Sequence, residues 1–251
     1  MSKPESTTIN MDEQQILIVP DTHGKDFWRV PVNSQPSMRV IFLGDYLDPY
    51  EDEPVEWYDV VQRFQDIITL KRSFPDWVTL LLGNHEAHYL FGSRSQRGSR
   101  YDSHKADNYY CILNDNFDCF NYAHELEMGG NKYMFSHAGI NKQWLEANKK
   151  VFGDYKTINT QVINSLKHNS NFIEALSNVS HFRGGICDAG SMIWADCHEF
   201  ESPESELTGG YIQIFGHTRQ VGGIWQNGRG TAYCLDCGKV FVLDNNGLTE
   251  L

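Results

Sequence analysis

A chain of 251 residues that is 40% hydrophobic and 13% aromatic carries enough apolar material for one large domain with a sizeable core, which excludes a disordered polypeptide. Its 33 acidic against 21 basic residues leave a net charge of −12, which argues against non-specific binding to nucleic acid or to anionic membranes. No apolar run approaches the roughly 18 residues of a membrane span, and the polar stretch over 1–14 lacks an apolar signal core, so it reads as a disordered tail on a cytoplasmic protein.

After the tail, Gln15-Ile16-Leu17-Ile18-Val19 predicts a buried strand that runs straight into Pro20-Asp21-Thr22-His23-Gly24. In an extended segment an Asp-x-His pair points both side chains to one side, as two ligands of one ion require. The competing reading is an aspartate helix cap beside a histidine satisfied in the core. A short helical stretch from Asp26 to Val30 leads to a second strand, Arg39 to Leu43, which ends in Gly44-Asp45-Tyr46-Leu47-Asp48. The acidic loop from Asp48 to Glu53 reads as a solvated approach to a crossover helix over 54–73, where Val55, Tyr58, Val61 and Ile68 recur at helical spacing. A third strand, Trp77 to Leu82, delivers Gly83-Asn84-His85-Glu86 at its end, the edge where open α/β sheets bind ligands. Clustered carboxylates repel one another unless a cation compensates them, so three strand ends bearing oxygen and nitrogen ligands point to a metal centre.

The glycine-containing segment from Gly92 to Lys105 carries Arg94, Arg97 and Arg100 and is either a solvated loop or an anion clamp. A helix over Lys105 to Asn116 follows, then strands over Phe120 to Leu126 and Lys132 to Ser136 around the turn Met128-Gly129-Gly130-Asn131. The second of these strands ends in His137. Residues 141–180 are polar and helical in pattern and read as a cap or insertion. Past the turn Phe182-Arg183-Gly184-Gly185 and the segment Ser191 to Asp196 lies a strand, Tyr211 to Phe215, that ends in Gly216-His217-Thr218-Arg219. Three more short strands follow, turned by Asn227-Gly228 and Asn245-Asn246-Gly247. Cys234 and Cys237 have redox spacing, but no second pair exists for a zinc site, and the six cysteines read as free thiols.

In order, Asp21-x-His23, Gly44-Asp45-x-x-Asp48, Gly83-Asn84-His85-Glu86, the lone His137 and Gly216-His217-Thr218 resemble the five signature blocks of the calcineurin-like metallophosphoesterases. The resemblance covers roughly residues 15–245. It is strongest toward the bacterial and phage phosphoprotein phosphatases and the diadenosine tetraphosphatase branch. It implies an α/β fold, a four-layer α/β/β/α sandwich with two mixed sheets and helical insertions, as a single domain over 15–251. It further implies two divalent ions, manganese first and iron, zinc or nickel as alternatives, with Asp21, His23 and Asp45 on one and Asp45, Asn84, His137 and His217 on the other. The implied reaction is hydrolysis of a phosphate ester by a hydroxide shared between the ions, with His85 as the acid for the leaving group and Asp48 orienting it.

The departures bear on substrate binding. Phosphoprotein phosphatases continue the second block as Asp-Arg-Gly, where the arginine grips phosphate; here Pro49-Tyr50 follows Asp48. The later arginine near a Trp-x-Arg segment is also missing from Trp194-Ala195-Asp196. Arg183, flanked by glycines, is the first replacement to consider, Arg219 the second, and the basic loop the third. The expected substrate is a small phosphoester or a phosphoprotein, with a dinucleoside polyphosphate as the alternative and a non-catalytic scaffold of the same fold as the reading from another class.

Overall fold

The computed structural model describes residues 15–95, 98, 100–153 and 159–251; the tail over 1–14 and Arg97 of the basic loop lie outside the described residues. In chain order, β1 (Ile16–Val19), α1 (Arg29–Ser34), β2 (Arg39–Phe42), α2 (Trp57–Ser73), β3 (Val78–Leu81) and α3 (Asn84–Phe91) form an alternating series. Then come α4 (Ala106–Asp115), β4 (Phe120–Asn121) and the hairpin of β5 (Ala123–Met128) and β6 (Asn131–Ser136). Four short helices occupy the described part of the polar segment: α5 (Lys142–Ala147), α6 (Lys149–Phe152), α7 (Thr160–Ser165) and α8 (Ser170–Leu176). The chain closes with β7 (Tyr211–Phe215), β8 (Trp225–Gln226), β9 (Ala232–Cys234), β10 (Phe241–Asp244) and β11 (Gly247–Glu250), one strand more than the turn residues predict.

Two mixed sheets result. The first has the order β11-β10-β1-β2-β3-β4, with β1 to β4 parallel; the second has the order β5-β6-β7-β9-β8, with β6, β7 and β9 parallel. The alternation of side chains along each strand separates the layers. Ile16, Ile18, Ile41 and Leu43 on one face meet Tyr133, Phe135 and Ile214 of the second sheet. On the other face, Leu17, Val19, Val40 and Phe42 pack under Val60, Phe64 and Ile67 of α2. The second sheet is covered in turn by Trp144, Ile163 and Phe172 from α5, α7 and α8 and by Phe200. The architecture is the α/β/β/α sandwich. Among the described residues no helix is long and apolar enough to cross a membrane.

Two further elements differ from the sequence expectation, each for a local reason. The run Phe120 to Leu126 is not one strand: β4 pairs with β3 in the first sheet, whereas β5 pairs with β6 in the second. At the crossing, Asn164 of α7 accepts the N–H groups of Tyr122 (2.7 Å) and Ala123 (3.2 Å) and donates to the Ala123 carbonyl, replacing the ladder bonds lost there. The helix expected over 26–30 lies instead at 29–34. Pro31 sits in its first turn, where a missing N–H has no helical acceptor to lose.

Candidate metal centre

Each parallel strand of both sheets except β4 ends in a loop that brings a polar side chain to one place. Asp21 and His23 follow β1, Asp45 and Asp48 follow β2, Asn84 and His85 open α3 behind β3, His137 follows β6 and His217 follows β7. All eight are less than a tenth exposed. The backbone at this edge is held in an unfavourable conformation. His23, Asp45, Asp48 and His217 have φ of 44°, 51°, 55° and 69°, and they are the non-glycine residues with positive φ among those described. Such conformations persist only where the surroundings over-determine them, and they collect at functional sites.

Glu86 is a large part of what over-determines them. One carboxylate oxygen accepts the N–H groups of Gly83 (3.1 Å) and Asp45 (3.0 Å), the other those of Tyr46 (2.9 Å) and Leu47 (3.3 Å). The GNHE turn and the Asp45–Asp48 turn are thereby pinned to one side chain. Burial, and then the neighbouring Asp45, push this carboxyl up to about 8, while the amides work against that shift. Gly83 is required by the same contact, because a Cβ there would overlap the Asp45 carboxylate and amide. The first block is tied in through Thr22 and His23, whose N–H groups donate to the Asp45 carbonyl at 3.1 and 2.8 Å. The last block is tied through His217 N–H, which donates to the Asp21 carboxylate at 2.9 Å.

The imidazoles are oriented by their outer nitrogens. His23 Nδ1 donates to the Leu47 carbonyl (2.8 Å) and His137 Nδ1 to the Leu43 carbonyl (2.9 Å), so each turns the lone pair of Nε2 inward, the arrangement of a metal-binding histidine. Around His137 Nε2 lie Asn84 Oδ1 at 3.1 Å, His217 Nδ1 at 3.1 Å and Asp45 Oδ1 at 3.4 Å, a concentration of electron pairs that calls for a cation. The electrostatics agree. Burial, then Asp236 and Asp45, raise the pKa of Asp21 well above the carboxylate range; burial lowers His23 to about 3, which keeps its lone pair free. Two buried groups, Asp21-His23-Asp45 and Asp45-His137-His217, each present ligand atoms within 4.8 Å of one another, and Asp45 belongs to both. These oxygen and imidazole donors could hold two divalent ions side by side.

Beside the shared carboxylate, Asp48 Oδ2 accepts His85 Nδ1–H at 2.8 Å and His88 Nε2–H at 3.0 Å, and its Oδ1 accepts the Tyr89 hydroxyl at 2.7 Å. Burial alone would raise Asp48, but the two imidazole hydrogen bonds outweigh it and hold the carboxyl down at about 2. His88 and Tyr89 fall outside the sequence blocks. Their signal is the i,i+3 and i,i+4 spacing from His85 along α3. Asp236, between its two cysteines, also falls outside the blocks, yet it follows β9, which runs parallel to β7. It is buried, one carboxylate oxygen has no hydrogen-bond partner, and burial followed by Asp45 raises it to about 6.

A cavity of about 200 Å³ opens over the cluster, walled by Tyr50 and Trp194 and reached by Arg100, Arg183 and Arg219. Arg183 donates to Thr218 Oγ1 (2.6 Å) and to the His217 carbonyl (3.2 Å), and its Nε lies 3.2 Å from Asp196 Oδ2 in an ionic contact without hydrogen-bond alignment. Arg219 Nη1 donates to both Asp52 carboxylate oxygens (3.0 Å each), and its Nη2 donates to Glu53 at 2.9 Å. The three sources of positive charge expected from the sequence therefore all reach the cavity.

Two layered mixed sheets whose strand ends assemble paired ligand groups around a common carboxylate define the class, a protein built to hold two metal ions at one edge of its strands. The family model of the calcineurin-like phosphoesterases matches residues 15–218, and the chain belongs to that family. The serine/threonine-protein phosphatase ppe1 of Schizosaccharomyces pombe is 26% identical over 147 residues, 55% of this chain; the chain spans 44% of that protein's length. A cold-active protein-tyrosine phosphatase of a psychrophilic Shewanella superposes with a TM-score of 0.62 at 16% identity over 95% of this chain and 77% of its own. A protein serine/threonine phosphatase from Saccharomyces cerevisiae gives a TM-score of 0.52 at 16% identity over 96% and 80%. These last two likenesses are likenesses of fold.

Proposed function

We propose that the chain hydrolyses phosphomonoesters, small or protein-borne, at a two-metal centre; the observation that carries this reading is the pair of buried ligand groups sharing Asp45 beneath an arginine-lined cavity. Asp21, His23 and Asp45 would hold one ion, and Asp45, Asn84, His137 and His217 the other, manganese being the first ion to test. When bound, the ions supply Lewis acidity and a hydroxide nucleophile at neutral pH. The rest of the work falls to the chain. His85 is tethered to Asp48 through Nδ1, so Nε2 faces the cavity, where in its protonated form it delivers a proton to the departing oxygen; Asp48 steadies the cationic ring. Arg183 and Arg219 orient the phosphoryl oxygens.

The test is hydrolysis of an aryl phosphate, a phosphopeptide and a dinucleoside polyphosphate in parallel, with and without manganese. Metal-dependent cleavage of the first two is expected. Preference for the third would move the reading to a phosphoanhydride hydrolase, and inertness toward all three would leave a scaffold. Two variants refine the roles. His85→Asn should keep both ions and slow an alkyl phosphate by about 10²-fold or more while slowing an activated aryl phosphate much less, since only the poor leaving group needs a proton. Equal slowing of both removes His85 as the acid. Arg183→Ala should weaken inhibition by free phosphate by about 10-fold, and an unchanged inhibition constant takes Arg183 out of the phosphate site.

A further inference from the structure

The arginines around the cavity differ in what already neutralises them. Arg183 lies against Asp196, and Arg219 is engaged by Asp52 and Glu53. The polar partners of Arg100 are the Asp48 carbonyl and the ring nitrogens of His23 and His85; among the described residues none is a carboxylate. Among the described residues Arg100 therefore makes no ion pair with a carboxylate, and it acts on the buried Asp236 at longer range.

The group is also fixed in place. Its guanidinium lies over the Tyr50 ring at 4.0 Å, and the guanidinium of Arg219 lies over the same ring at 4.3 Å. Arg100 Nε–H donates to the Asp48 carbonyl at 3.0 Å. The chain on either side is tied to the groups that hold Asp48: Gly98 N–H donates to His88 Nδ1 (3.0 Å), and Asp102 N–H to the Tyr89 hydroxyl (3.1 Å). A stacked guanidinium tethered through Nε keeps its remaining N–H edge pre-oriented, which suits two-point recognition of a tetrahedral oxyanion. Arg100 Nη2 lies 3.1 Å from His23 Nε2 and 3.2 Å from His85 Nε2. Among the described residues the hydrogen bonds of Arg100 run from Nε and Nη2, and none from Nη1.

We infer that Arg100, stacked on Tyr50 and unpaired with any carboxylate, is the principal receptor for the phosphoryl oxygens of the substrate, ahead of Arg183 and Arg219. The inference rests on the phosphoesterase reading. Arg219 must share its guanidinium with two carboxylates to serve, and Arg183 with one, whereas Arg100 surrenders no ion pair.

The test is calorimetric titration of orthophosphate into manganese-loaded protein, with metal content measured on each sample. Arg100→Ala should raise the dissociation constant about 10- to 100-fold at unchanged manganese content, the range for loss of a charge-assisted hydrogen-bonding group. Arg100→Lys should fall between, because it keeps the charge without the fork, and added guanidinium should recover part of the loss in the alanine variant. Tyr50→Leu removes the ring on which both guanidiniums lie and which meets the His23 ring at 4.6 Å; at unchanged manganese content it should weaken phosphate binding by a smaller factor, and it serves in place of Arg100→Ala if that variant fails to fold or to load metal. Arg219→Ala should have the smaller effect of the two arginine truncations. Phosphate affinity within twofold of wild type in Arg100→Ala, a larger loss in Arg219→Ala, or no phosphate binding by the loaded wild type each overturns the inference. Turnover of an aryl phosphate by the same wild-type sample is scored separately: its absence removes the phosphoesterase reading, while the titration still decides the place of Arg100.

Discussion

Asp45→Asn should eliminate turnover, by about 10³-fold or more, while leaving the fold intact. The side chain lies between the two ligand groups: Oδ1 is 3.4 Å from His137 Nε2 and accepts the His85 N–H at 3.1 Å, and Oδ2 is 3.8 Å from His23 Nε2. An amide offers one oxygen where the carboxylate offers two, and it turns an NH₂ group toward whichever ion it fails to ligate. Removing the charge also removes one of the two carboxylates proposed for the first ion and the sole carboxylate proposed for the second. The fold should tolerate the change because the residue sits at φ 51°, a left-handed conformation that asparagine adopts more readily than most side chains. The metal-free variant should lose some stability, because burial would raise the Asp45 carboxyl but His137 and His85 hold it well below the usual carboxylate range, and relief of the repulsion on Asp21 offsets only part of that loss. The measurements are kcat with manganese, metal content after gel filtration and the melting temperature of the metal-free protein. Wild-type manganese-dependent turnover in this variant would end the two-ion reading, and a collapse of the melting temperature would show that the residue serves the fold first.

The strand-end pattern makes most of this centre legible in the amino-acid sequence. A buried parallel strand reads as a continuous apolar run, and the polar residues directly after it have to fall at the C-terminal edge, so Asp21, Asp45, Asn84, His137 and His217 can be found one at a time from their positions. Hidden from the sequence are residues whose part depends on a neighbour distant along the chain. Tyr122 gives no local sign that the chain changes sheets there, because the acceptor that allows it is Asn164, 42 residues on. Asp236 lies inside a cysteine pair whose spacing draws attention to the sulfurs, and only the parallel pairing of β9 with β7 brings it to the shared edge. Arg100 is one of three arginines in a polar loop, and no periodicity separates the one stacked on Tyr50 from the others. Glu86 reads as a first-turn carboxylate on α3; that the turn after β2 folds over it is a tertiary fact.

Glu86→Ala should be the most destabilising single change at this edge although the side chain is not among the ligands. Its two oxygens accept four buried amides, from Gly83, Asp45, Tyr46 and Leu47, at 2.9 to 3.3 Å. A buried N–H left without an acceptor costs about 1–3 kcal/mol, and water entering the vacated space can recover only part of that, so a loss of about 3–4 kcal/mol is expected. For a domain of this size that corresponds to a fall of roughly 6–15 °C in melting temperature. Glu86→Gln should lie between alanine and wild type, because its one oxygen can serve one pair of amides while its NH₂ group faces the other pair. Activity should fall along with stability, since the turn carrying Asp45 and Asp48 at positive φ loses the acceptor that holds it. The two effects separate under added manganese: if the carboxylate acts by shaping the turn, excess metal should restore part of the melting temperature by binding the native state and little of kcat. A Glu86→Ala protein that melts with the wild type would mean that water satisfies all four amides. The turn would then be held by the bonds from Thr22 and His23 to the Asp45 carbonyl, and kcat should survive with it.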